Sequence, residues 1–313
     1  MIRIGIDVGG TGIQFGALDN KMNILAEDSI PTNTSIPFSE QVERIAAAVV
    51  STAEAAGCSP DSIESVGVGI PGVANLSTGV VDKCPNMGWY HVPFGEEFRK
   101  HLSTPLFIEN DANVAALAES VAGVSAGTSS SVFVTIGTGI GSGIILNGRI
   151  WSGYHGVGGE LGHTIFDLDG VPCTCGNRGC LERYCSATAL IRMGREAVSL
   201  HPESLILQSA GNDISKIEAR TVIDAAREND ETAVKVYEKW IHYLAQALAN
   251  VVNFLDPEVI VLGGGVSKAG EFLLKPLHRE YSNYVLYNDL PIPDIKLAVL
   301  GSKAGIIGAA MLS

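Results

Sequence analysis

The run IRIGIDVGGTGIQFGALD, residues 2–19, decides the architecture. It reads as a strand (IRIGID), a glycine-rich turn (VGGTG) and a second strand (IQFGALD), since β-branched and apolar residues flank a turn built of Gly and Thr. Residues 131–148 repeat the design as SVFVTI, GTGIG and SGIILNG. Two copies of one supersecondary unit, about 130 residues apart, predict two related lobes and carry more weight than either copy alone.

Helices fit between the strands. Ser39 precedes Val42, Ile45, Ala46, Val49 and Ala53, spaced for one helical face, and Gly57 is placed to stop that helix. The strand-like SVGVGI (65–70) ends at Pro71. From about Glu231 to Gly265 the pattern predicts an amphipathic helix with Val234, Tyr237, Ile241, Leu244, Leu248 and Val251 on one face. The turn DPE and the strand VIVLGGG follow. Ser302 is the expected cap of a last short helix, GIIGAAML, and Pro202 to Arg220 reads as loop or short helix. Strands alternating with helices make this an α/β protein.

Composition narrows the function. A chain of 313 residues suits two domains at ~100–200 residues each. With 46% apolar and 18% charged residues it can bury a substantial core, which excludes intrinsic disorder. The net charge is −13 and no run of Lys or Arg occurs, so a nucleic-acid partner is not expected. An ATP site is compatible with that charge, because Mg²⁺ and backbone N–H groups neutralise phosphate locally. The chain enters a strand at once, without a signal peptide's charged start and apolar run, and its most apolar stretch, Ser131 to Gly148, is broken by five glycines. These features predict a cytoplasmic protein off the membrane, in which the sequons at Asn33 and Asn75 mean little. Three of the six cysteines fall within eight residues, a clustering that favours a metal over disulfides.

The turn Asp7-Val-Gly9-Gly10-Thr11 suits phosphate. Glycines let backbone N–H groups approach oxyanions, Thr11 adds a hydroxyl, and Asp7 at the strand end can hold Mg²⁺ through water. Gly-Gly also occurs in ordinary hairpins. The second copy, Gly137-Thr138-Gly139-Ile-Gly141, tips the balance toward a pair of turns clamping a triphosphate. No GxxxxGK[ST] loop is present. Gly67-Val-Gly69-Ile-Pro-Gly72 matches GxGxxG in form, but that fingerprint needs a helix opening at the glycines, and Pro71 with VANLSTG predicts a loop instead.

Leu106-Phe-Ile-Glu-Asn110-Asp111-Ala-Asn113 reads as a strand running into a helix. Asn and Asp at such a junction serve either as N-caps or as binding groups at a strand's C-terminal edge. Gly159-Glu160-Leu-Gly-His163 followed by Cys173-Thr-Cys175-Gly-Asn-Arg-Gly-Cys180-Leu-Glu182 offers one His and three Cys, the four soft ligands of a structural zinc site. Gly176 and Gly179 supply its tight turns, and Glu160 and Glu182 flank it. The alternative is three reduced cysteines in an irregular loop, and Cys185 is a further candidate ligand. Cys58 and Cys84 read as packing residues. Gly263-Gly264-Gly265 after VIVL would let a base or ribose lie against the backbone.

DVGGT, GIPG, PNMGW, ENDAN, GTGIGSG, GGELGH, CTCGNRGCLE and VIVLGGG together resemble the ROK family of sugar kinases and sugar-responsive repressors, from residue 2 to about 311. The pairing of ELGH with CxCGxxGCxE is the specific part. The resemblance implies two ribonuclease-H-like lobes of the actin-like ATPase, sugar kinase and Hsp70 superfamily around a central cleft. The small lobe would comprise residues 1–117 plus about 302–313, and the large lobe 118–301 with the zinc loop. Position by position, it implies Asp111 as catalytic base, and Gly72, Asn86, Asn110, Glu160, His163 and Glu182 around the sugar. His163, Cys173, Cys175 and Cys180 would bind zinc, while Asp7, Gly9, Gly10, Thr11, Thr138, Gly139 and Gly264 serve ATP and Mg²⁺. Gly12 departs from the Lys that many relatives carry after DxGGT.

The implied activity is ATP-dependent phosphorylation of a hexose 6-hydroxyl, with glucose first and fructose, allose, N-acetylmannosamine or N-acetylglucosamine as alternatives. A repressor of the family would carry a helix-turn-helix domain before the first strand, which here begins at residue 2. A sugar binder without turnover would be expected to have lost Asp111 or a phosphate hairpin. A homo-oligomer, dimer or tetramer, completes the expectation.

Overall fold

The computed structural model describes residues 1–312. In chain order the strands and helices are β1 (Ile2–Val8), β2 (Gly12–Leu18), β3 (Ile24–Pro31), α1 (Phe38–Ala55), β4 (Ile63–Ile70), β5 (Val73–Asn75), β6 (Val80–Cys84), β7 (Trp89–Val92), α2 (Phe94–Arg99), β8 (Leu106–Asn110) and α3 (Asp111–Ala122). There follow β9 (Ser130–Ile136), β10 (Ile140–Leu146), β11 (Arg149–Ile150), α4 (Glu182–Cys185), α5 (Ala187–Leu200), α6 (Leu205–Ser209) and α7 (Ala219–Arg227). The long α8 (Glu231–Leu255), β12 (Val259–Gly263), α9 (Glu271–Tyr281), β13 (Asp294–Leu297) and α10 (Ala304–Ala310) complete the chain.

The repeat read from the two hairpins is a repeat of topology. One sheet runs β3-β2-β1-β4-β8 and another β11-β10-β9-β12-β13. In the first, β1 is antiparallel to β2 and parallel to β4, which is parallel to β8. In the second, β12 is parallel to both β9 and β13. Each sheet thus opens with a Gly/Thr hairpin and continues through parallel crossovers, which bring strand C-termini to one edge.

The chain divides into two compact units. One holds Met1–Ser129, Gly143–Gly159 and the residues from Val299 onward; the other holds Ser130–Ser142 and Glu160–Ala298. The expected boundary after residue 117 would cut through α3, whereas the first unit continues past that helix.

In the first unit, Ile4, Ile6, Phe15, Val66 and Val68 are fully buried, each contributing about 1.5–3 kcal/mol. Helix α1 buries the predicted Val42, Ile45, Ala46, Val49 and Ala53. It also buries Gln41, whose Oε1 accepts a hydrogen bond from Trp89 Nε1 at 2.9 Å. Helix α10 seats directly on the sheet, because a Cβ at Gly5 or Gly67 would overlap the carbonyl oxygens of Ile306 and Ala309. Ser302 does not cap this helix. A 3₁₀ turn over Gly301–Lys303 leads into it, so Lys303 already has helical angles and no side-chain cap forms. Residues expected as loop after Pro71 contain the short strand β5, paired with β6, and no helix follows Gly72. In the second unit, α8 buries Tyr237, Ile241, Leu244, Leu248 and Val251 as predicted. Trp240 and several alanines widen that face, while Val234 is only partly buried.

Candidate active site

In the first unit, the β1–β2 turn is closed by Gly9 N–H donating to Gly12 O at 2.9 Å. Thr32, just past β3, holds it from the side: its hydroxyl donates to Gly9 O at 2.7 Å and its N–H to Thr11 O at 3.2 Å. Gly10 and Thr11 are exposed at the tip. Asp7 stands at the base of the turn, half-buried, and burial pushes its carboxyl above the usual range. No hydrogen bond from a described residue reaches that carboxylate. Gly305 lies against it, where a Cβ would overlap its oxygen. A half-buried carboxylate without donors fits a hydrated Mg²⁺, which supplies the missing charge. Gly12 opens β2 opposite Pro31.

Asn86 lies over this turn, its Nδ2 3.6 Å from where a Cβ on Gly10 would stand. The PNMGW segment is pinned on both sides, since Met87 and Trp89 are buried and Gly88 takes the left-handed conformation (φ 69°). Trp89 also packs against Phe38 and Phe94, with ring centroids 5.8 and 5.2 Å away.

At the β8–α3 junction the N-cap reading of Asn110 holds. Its Oδ1 caps α3, accepting from Ala112 N–H at 2.9 Å and Asn113 N–H at 3.3 Å, while its Nδ2 donates to Gly72 O at 3.2 Å. Asp111 is the first residue of α3, half-buried, and accepts from Ala112 N–H at 2.9 Å. Its charge reaches Cys84, whose thiol is pushed up to about 11, first by burial. The junction has a support that the motif reading passed over. Buried Glu109 accepts from Asn110 N–H at 2.8 Å and Asn113 Nδ2 at 3.0 Å, and burial raises its carboxyl. Its only sequence signal is a carboxylate one residue before the Asn-Asp pair on an otherwise apolar strand.

In the second unit, the β9–β10 turn is closed by Gly137 N–H donating to Gly139 O at 3.0 Å. The start of α5 braces it: Ala187 N–H donates to Gly137 O at 2.9 Å and Thr188 Oγ1 to Thr138 O at 2.6 Å. Glu160 is exposed and precedes a 3₁₀ turn ending at His163. Leu161 N–H ties this turn to Ser142 Oγ at 3.3 Å.

The ligand atoms of His163, Cys173, Cys175 and Cys180 all lie within 4.8 Å of one another. His163 Nδ1 is 3.8 Å from Cys173 Sγ, and Cys175 Sγ is 3.5 Å from Cys180 Sγ. A tetrahedron with bonds of ~2.3 Å has edges of ~3.8 Å, so these spacings fit zinc. Burial and the neighbouring sulfurs push the Cys180 thiol up to about 12, a cost that a divalent cation removes. The Asn177 backbone lowers Cys175. Cys185 is fully buried outside the cluster. Glu182 touches the group through Oε1, 3.7 Å from Cys173 Sγ, while its Oε2 accepts from Ile140 N–H at 3.2 Å.

Gly264 (φ 83°) packs on the Ile136 backbone at the base of the second turn. Beside it lies a cavity of about 510 Å³ between Gly137 and Thr138, helix α7 and the Gly265–Ala269 turn, with Arg220, Arg227 and Lys268 in its wall. A larger cavity, about 820 Å³ between α8 and α9, is lined by none of the candidate site residues read from the sequence.

The structure therefore gathers Asp7, Gly9, Gly10, Thr11, Gly72, Asn86, Asn110 and Asp111 in one unit. Thr138, Gly139, Glu160, His163, the three cysteines, Glu182 and Gly264 are gathered in the other. The α7 wall of the 510 Å³ cavity carried no sequence signal, because an amphipathic helix with charges on its outer face is ordinary.

The chain is similar over nearly its whole length to known proteins. A glucokinase from Halalkalibacterium halodurans is 37% identical over 311 residues, covering 99% of this chain and 94% of that protein. The crystal structure of a ROK family glucokinase from Streptomyces griseus in complex with glucose and AMPPNP matches with a TM-score of 0.81 at 32% identity, covering 99% of this chain and 98% of that one. A ROK hexokinase from Thermus thermophilus matches with a TM-score of 0.84, also at 32% identity, covering 99% and 97%. The fold is that of the sugar kinases of the actin-like ATPase class. The ROK family profile spans residues 3–313, and with both hairpins, the β8–α3 junction and the His/Cys loop in place, this chain belongs to the ROK family.

Proposed function

We propose that the protein is an ATP-dependent hexose kinase that phosphorylates the 6-hydroxyl of glucose, with Asp111 as the base. The observation that carries this reading is the β8–α3 junction: a carboxylate fixed in the first turn of a helix, beside Asn110 and the Gly72 carbonyl. The full-length similarity to glucokinases supports the same activity.

Asp111 orients the sugar hydroxyl and accepts its proton as the oxygen–phosphorus bond forms and the bond from the γ-phosphorus to the departing ADP oxygen breaks. A helix N-terminus stabilises carboxylate and weakens it as a base. Phosphoryl transfer tolerates this, since its loose transition state needs the nucleophile positioned more than ionised. Glu160, Glu182 and the Nε2 of His163 hold other sugar hydroxyls. Once a bound sugar covers them, polar groups of this kind reject sugars that leave them unpaired. On this reading Gly10 and Thr11 of the first turn and Thr138 of the second face phosphate oxygens, and the 510 Å³ cavity takes the nucleoside. Asp7 would hold a hydrated Mg²⁺, which would supply charge neutralisation at the transferring phosphate. His163, Cys173, Cys175 and Cys180 would hold Zn²⁺, which would supply a closed structural anchor for the loop that presents Glu182. The family resemblance further supports a cytoplasmic homo-oligomer, checked by light scattering.

The test is phosphorus NMR of glucose incubated with Mg-ATP and enzyme. A phosphomonoester at C6 with matching ADP is the expected product. A phosphoester at another carbon, or ADP without sugar phosphate, would overturn the assignment.

A further inference from the structure

Glycine at position 139 is unexplained by its backbone. Its φ is not among the positive angles, so an L side chain is conformationally acceptable there. Among the described residues, only the carboxylate of Glu182 stands in the way, its Oε2 overlapping the Cβ position. At Gly137, two residues earlier in the same turn, a Cβ would meet nothing within 4 Å. Gly137 therefore leaves open space of the kind a phosphate oxygen fills, while the space over Gly139 is taken by protein.

The same oxygen that requires Gly139 is held by the next backbone group, Ile140 N–H, at 3.2 Å. The other oxygen lies 3.7 Å from Cys173 Sγ. Glu182 comes from α4, 42 residues along the chain, so this contact is made by the fold and not by local geometry.

We propose that Gly139 serves the sugar rather than the nucleotide: with the Ile140 N–H it forms a seat that holds the Glu182 carboxylate in place. The inference rests on the kinase reading only in taking Glu182 as a sugar ligand. Gly139 and Ile140 are then positioning residues, and the phosphate-binding share of the turn falls to Thr138, beside the open space over Gly137, whose own N–H closes the turn. Displacing the carboxylate by a methyl group costs sugar affinity because a misplaced hydrogen-bond acceptor leaves its hydroxyl unpaired.

The test is a double-mutant cycle of Gly139→Ala and Glu182→Ala, read by ligand-free melting and by calorimetric titration with glucose and with ADP. Gly139→Ala alone is expected to lower the melting temperature and weaken glucose about tenfold, with ADP changed by less than about threefold. In the Glu182→Ala background the same substitution is expected to cost nothing further in melting temperature or glucose affinity. A Gly139→Ala chain that fails to fold alone but folds when Glu182 is also Ala would be the same result in stronger form. Equal melting losses in both backgrounds, or a loss confined to ADP, would overturn the inference. The melting arm needs no substrate. A wild-type protein that ignores glucose would therefore count against the glucose reading while the cycle still decides the seat.

Discussion

The β1–β2 and β9–β10 turns are each closed by a glycine N–H, Gly9 to Gly12 O at 2.9 Å in the first and, one residue tighter, Gly137 to Gly139 O at 3.0 Å in the second. They differ in where the adjacent carboxylate comes from. In the first unit it is Asp7, on the hairpin's own strand, two residues before the turn and without a donor among the described residues. In the second, the equivalent position is Thr135, and the carboxylate is Glu182, delivered by the zinc-type loop and held by Ile140 N–H. The repeated unit has kept its Gly/Thr turn and changed the source of the carboxylate beside it. On the proposed function the first carboxylate would serve a cation and the second a sugar.

On the proposed function the base and the cation-binding carboxylate lie in the first unit and Glu160, His163 and Glu182 in the second, and each part can be broken. The largest effect belongs to Asp111→Ala. It should lower kcat by about 10²–10⁴-fold while glucose affinity changes by less than about threefold. A loss of binding with turnover intact would reverse the assignment. Next is Cys175→Ser, which should remove zinc by atomic absorption and weaken glucose by about 10–100-fold with ADP binding kept. A metal-free variant with full glucose affinity would detach the cluster from the sugar.

Asp7→Asn sharpens the contrast between the carboxylates. It should cut turnover about tenfold or more, yet raise the ligand-free melting temperature near pH 7.5. The sign follows from burial. Because the folded carboxyl is raised, its contribution to stability is complete below the unfolded value of 3.8 and is lost as pH rises through the folded pKa. The gain from Asn should therefore shrink as the melting buffer is taken below the carboxylate range. A gain that grows on acidification would contradict it.

The smallest effect separates the two turns. A Cβ at Gly9 would come 2.8 Å from Gly12 O, so Gly9→Ala should lower the melting temperature by a few degrees, about 1 kcal/mol. Gly137→Ala should leave it unchanged and raise only the KM for ATP.

What sequence could show was local. The hairpins, the strand-to-helix junction and the four clustered ligands each lie within a short window, where turn residues, N-caps and metal ligands have fixed spacings. What it could not show joins distant segments: Asn110 to Gly72 across 38 residues, Trp89 to Gln41 across 48, Glu182 to Ile140 across 42, and Gly305 against Asp7. Such pairs follow from the sheet order, which propensity does not encode. Position 139 illustrates this. As a glycine in a phosphate-type turn it reads as nucleotide-binding, and only the fold reveals the carboxylate against it. The cap expected at Ser302 failed for the opposite reason, since the local chemistry was right but the chain arrives in a 3₁₀ turn.

The most direct test of the central claim is coupled ADP release with Mg-ATP and zinc-replete protein across glucose, fructose, mannose, allose, N-acetylglucosamine and N-acetylmannosamine. The account predicts turnover highest on glucose and lost with Asp111→Ala. No turnover on any of the six, or turnover on glucose that survives Asp111→Ala at the wild-type rate, would contradict it.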